Sequence, residues 1–167
     1  LAQSIETTRH YLEQAQSTHN SGETHGRHLA TLHALDHLAR LVHRCSQTDL
    51  IERLQDERRL QRLSSVICQA CEAWLGDPGT NAHADRFDRL HTLLSAQRQR
   101  YRITTIQKSA HRKIDADTAL WRMDGIRWMH RVAYHLWRII YYLDAATQSH
   151  TKPDTAPFAG PTPGEPK

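Results

Sequence analysis

No stretch of this 167-residue chain approaches the ~20 consecutive apolar residues that a membrane span needs. The best candidate, Val132 to Leu143, is interrupted by His135 and Arg138. No secretory signal is visible at the start. Glycine is sparse and never clustered as a phosphate loop, and neither a nucleophile elbow nor a Cys/His couple is present. Catalysis therefore has no candidate residue. Cysteine is limited to Cys45, Cys68 and Cys71. Cys68 and Cys71 have C-x-x-C spacing, but a zinc site would need a second pair and a redox fold would need a βαβ pattern. They lie in the helical run VICQACEAWL, where the expected role is to fill a core in a reducing compartment. No strand signal appears anywhere, which leaves an all-α chain.

What is present is charge spread along amphipathic helices. The formal charge is +4, with thirteen histidines that add more below about pH 6.5. Lysine and arginine are scattered among acids, so the basic balance does not mark a nucleic-acid surface, and no such partner is expected. The length suits one domain over residues 1–148, followed by a disordered tail at 149–167 that holds five of the six prolines. The chain begins at Leu1 without a methionine, which suggests a piece of a longer protein.

Apolar periodicity predicts a first helix to about His19 on the stripe Ile5, Thr8, Leu12, Ala15. A second runs from His25 to Ser46, with Leu32, Leu35, Leu38, Ala39 and Val42 inward and His33, His37, Arg40 and Arg44 opposite. The third region, 49–74, contains a charged patch QDERR that divides it into a short and a longer helix. A loop, GDPGTN, precedes a fourth helix from Ala82 to Lys113. Asp115 or Asp117 caps the last and longest, which reaches Gln148. The expected fold is an antiparallel bundle of four to five long helices with short connections.

The last helix is the centre of that bundle. It carries Trp121, Trp128 and Trp137, and its apolar side collects Trp121, Trp128, Val132, His135, Ile139 and Leu143, widened by Met129, Leu136 and Ile140. Arg127, Arg131 and Arg138 follow one flank with Tyr134, a surface that can fork onto phosphate or carboxylate, or simply form salt bridges between helices. His33 and His37 stand at i, i+4, which suits a shared metal, and His33-Ala-Leu begins like a phosphotransfer motif. Asp36 beside it would repel a phosphohistidine. Asp36, Glu52, Asp56 and Asp124 are the carboxylates that a metal ion in the bundle would use. The bland alternative pairs Asp36 and Asp124 with Arg127, Arg131 or Arg138 across the helices. The segments Leu35–Arg44 and Met123–Arg131 also echo one another loosely.

These residues carry a family likeness. MDGIRWMHRVAYHLWRIIYYL, with HALDHLARLVHR about ninety residues earlier, resembles the PhoU-like helical domain at the C-terminus of bacterial sodium-dependent phosphate cotransporters. The matching positions are Met123, Asp124, Arg127, Trp128, Tyr134, His135, Trp137 and Arg138, together with Ala34 to Leu41. The resemblance implies a transmembrane transporter part in the same parent chain, ahead of Leu1. It implies a place on the cytoplasmic side of the inner membrane, self-association, and regulation rather than catalysis. PhoU proteins hold metal clusters with E/D-x-x-x-D motifs. Glu52 to Asp56 is the single clear match here.

Overall fold

The computed structural model describes residues 1–15, 22–78 and 82–148. The expected tail at 149–167 lies outside them, as do the break after α1 and most of the GDPGTN loop. Six helices follow in order: α1 Ala2–Ala15, α2 Gly22–Cys45, α3 Thr48–Leu54, α4 Arg58–Gly76, α5 Ala82–Ala110 and α6 Ala116–Gln148. No strand occurs among the described residues. The fold is all-α, with six helices among the described residues: the third region divides at the charged patch as expected, into a seven-residue α3 and a longer α4. Glu57 makes the break. It stands extended at φ −120° and its carboxylate accepts from the Leu60 amide at 2.9 Å, capping α4.

Local chemistry also sets the α5–α6 turn. Asp115 caps α6, accepting from the Thr118 amide at 2.6 Å and from its hydroxyl at 3.0 Å. Those bonds hold the Asp115 carboxyl below its ordinary range. α5 stops at Ala110, short of the expected Lys113. Arg112 takes a left-handed φ of 55°, its amide bonds the Ser109 carbonyl, and the Lys113 amide bonds that of Lys108 at 2.8 Å. This is a Schellman ending with arginine where glycine is usual.

α6 is the axis. It packs along α2 on one side and α5 on the other, and it also meets α3 and α4. α1 lies on α2, where Ile5 is buried near Ala39 and Val42. Paired residues give the directions: His37 meets His135 and Arg44 meets Trp128, so α2 and α6 are antiparallel. His91 meets both His130 and Trp137 across the α5–α6 hairpin. The core joins Ile126, Met129, Ala133, Leu136 and Ile140 of α6 to Leu54, Leu60, Ile67, Phe87, Leu90 and Leu94. Ile126, Leu60 and Phe87 are wholly excluded from solvent. Burying such side chains is worth about 1.5–3 kcal/mol each before entropy is counted. Cys71 packs against this core, but Cys68 is exposed, so only one of the C-x-x-C pair fills it. No described helix is long and apolar enough to cross a membrane.

Candidate functional site

Two features meet on α6. The first is an aromatic and histidine seam. His37 was expected on the solvent side of α2. It is instead half-buried against α6, its Nδ1 3.0 Å from Nδ1 of His135, which is buried. The physical reason is that α2 has two partners. Ala39 and Val42 lie on the side shared with α1, whereas Ala30, Ala34, His37 and Leu41, spaced by three and four residues, form a separate face. Ala30 and Ala34 are the buried members of that second face. Small residues let α2 approach α6 closely.

One His37–His135 nitrogen must be a bare acceptor for the bond to exist, so at least one ring is neutral. Burial, then the nearby His37, Arg40 and Arg44, pushes His135 down to about 4. His37 is lowered too, by burial first and then by Arg138. Tyr134 lies edge-on to His37, and His33 stacks on Tyr142 at 4.8 Å with its ring still exposed. On the α5 side His91 lies flat on Trp137 at 5.3 Å and beside His130 at 4.9 Å. Both imidazoles are lowered by burial.

Arg138 belongs to this seam. Its guanidinium sits over Tyr142 at 4.5 Å, Tyr141 at 5.3 Å and Trp137 at 5.4 Å, and it donates to the Tyr142 hydroxyl. Its Nε is buried without a hydrogen-bond partner among the described residues. Three π-faces hold this cation, with no carboxylate paired to it among the described residues.

The second feature is a polar groove of about 560 Å³ where α2 ends against α6. It is lined by Arg44, Ser46, Gln47, Thr48, Asp49, Leu50, Asp124, Arg127, Trp128 and Arg131. The indole N–H of Trp128 donates to the Arg44 carbonyl at 2.9 Å and ties the two helices together there. The arginine flank thus divides. Arg127 and Arg131 face the groove with Arg44, while Arg138, two turns on, is enclosed by rings. Arg44, expected opposite the apolar face of α2, joins this groove instead. The signal for it is spacing: Arg44 continues the Ala34, His37, Leu41 line by three.

The carboxylates do not assemble. Asp36 pairs with Arg40 at 2.9 Å and Asp124 with Arg127 at 3.0 Å, each within its own helix rather than across the seam. The reason is reach. At i, i+3 or i+4 a partner is already adjacent. Glu52 is in α3, whereas Asp56 falls in the turn after it, so their spacing does not place them on one helix face. No group of three or more metal-ligating side chains forms among the described residues. No family model, curated protein or solved structure gives a significant match to the chain.

Proposed function

We propose that the chain is a PhoU-like regulatory domain of a sodium-dependent phosphate symporter. In this reading it works on the cytoplasmic side of the bacterial inner membrane and modulates transport by helix-face contacts, without catalysing a reaction. One observation carries the reading. The two segments on which the likeness rests, ninety residues apart in sequence, lie against each other in space. Arg44 of the earlier segment receives the Trp128 bond, and His37 meets His135. Those positions therefore make a single surface rather than two unrelated helices. Exposed apolar side chains on α5, Leu93, Ile103 and Ile106, offer contacts to a transporter part or to a second copy.

The test is phosphate uptake by cells that carry the parent chain with and without residues 1–148. The expected result is a changed uptake rate, or a lost response to external phosphate, on removal of the domain. Unchanged flux and response under both conditions would sink the regulatory reading. A parent chain with no hydrophobic spans would point instead to a free-standing phosphate-signalling adaptor of the same fold.

A further inference from the structure

The groove between the end of α2 and α6 has the chemistry of a ligand site independent of any transporter. Three arginines, Arg44, Arg127 and Arg131, line it from two helices, beside two acidic residues, Asp49 and Asp124. Asp124 is already engaged by Arg127 at 3.0 Å. Arg44 and Arg131 are in no ion pair among the described residues. Asp49 is the one other acid in the lining and is in no ion pair with them among the described residues, so the lining carries three cations against two anions and keeps one positive charge in excess.

We propose that this groove binds a phosphorylated organic molecule of nucleotide size, with its phosphates on Arg44 and Arg131 and its body along Trp128. Guanidinium forks approaching from two helices suit an acceptor whose oxygens point in several directions, as a tetrahedral phosphate does and a planar carboxylate does not. The volume of about 560 Å³ lies within the range of small-molecule sites, and a bare phosphate would leave most of it to water. Trp128 supplies an aromatic wall held in place by its bond to the Arg44 carbonyl. The Ser46 hydroxyl donates to the His43 carbonyl at 2.8 Å, which leaves its oxygen free to accept from a ligand hydroxyl. A ligand bridging Arg44 and Arg131 would tie α2 to α6 and stabilise the seam by mass action.

Calorimetric titration of the chain with ATP, pyrophosphate, inorganic phosphate and citrate tests the site. ATP is expected to bind at least ~10-fold more tightly than phosphate or citrate, with pyrophosphate between. Arg131→Gln and Arg44→Gln should each weaken ATP at least ~10-fold, while Arg100→Gln, the same charge loss on the exposed side of α5, should leave it unchanged. An equal loss with Arg100→Gln would mean diffuse charge attraction and would overturn the proposal. So would phosphate or citrate binding as well as ATP, or ATP failing to bind. Arg131 is exposed, so Arg131→Gln alone carries the test if Arg44→Gln disturbs the fold.

Discussion

At the scale of single residues, Gly125 shows how a cost in one term is set by another. A glycine inside a helix loses about 1 kcal/mol relative to alanine, and the sequence offers no reason for it in the middle of α6. The structure supplies one. A Cβ at this position would stand 2.8 Å from Leu54 Cδ2 and 2.9 Å from Leu60 Cδ1, both on buried side chains. Those methyls are flexible ends, but they sit in a filled core, where overpacking costs about 1–3 kcal/mol. Gly125→Ala is therefore expected to lose up to about 2 kcal/mol net in urea unfolding. A more stable variant would mean that Leu54 and Leu60 swing aside freely. Arg138 makes the companion case. Its place on a flank with Arg127 and Arg131 was legible as helix geometry, but its enclosure by Trp137, Tyr141 and Tyr142 depends on rotamers that spacing does not specify.

At the scale of elements, the α2–α6 seam should respond to acid. In the unfolded chain an imidazole takes its proton near 6.5, whereas folded His135 resists until about 4. Across that window the unfolded state binds more protons, so this contribution is fully present above about pH 6.5 and is lost as pH falls towards 4. It is on the order of 3 kcal/mol for His135. His37, His91 and His130 are shifted the same way, with Arg138, Arg40 and Arg44 around the seam adding repulsion. Asp36 works against the shift of both seam histidines. Asp144, raised by burial, favours the fold in acid and offsets part of the loss. The melting temperature should drop between pH 6.5 and 4, and His135→Gln should flatten part of that drop by keeping a hydrogen-bonding group that never charges. A profile identical to the parent's would place the acid sensitivity elsewhere. The helices themselves were readable, since 3.6-residue periodicity and the QDERR patch need only local sequence. Which side of α2 meets α6 was not, because two apolar faces compete, and the one that meets α6 carries the small Ala30 and Ala34 with His37.

At the scale of the whole molecule, α6 packs against α2, α3, α4 and α5, so damage at its centre should be felt everywhere. Ile126 is wholly buried between α6 and the α3–α5 side chains. Ile126→Ala is expected to cost about 2–5 kcal/mol and to shift one cooperative transition, seen alike by circular dichroism and tryptophan fluorescence. Separate transitions would mean that α1 and α2 unfold independently of the rest. Sequence alone determined the all-α class, the Glu57 and Asp115 boundaries in outline, and α6 as the main apolar element. Those depend on periodicity and on groups three or four residues apart. Only the tertiary structure decided that His37 meets His135, that Arg44 joins Arg127 and Arg131 in one groove, and that Asp36 and Asp124 are paired within their own helices. These outcomes depend on how helices rotate about their axes when they pack. That rotation is chosen by the summed burial of several faces at once, which no single helix encodes.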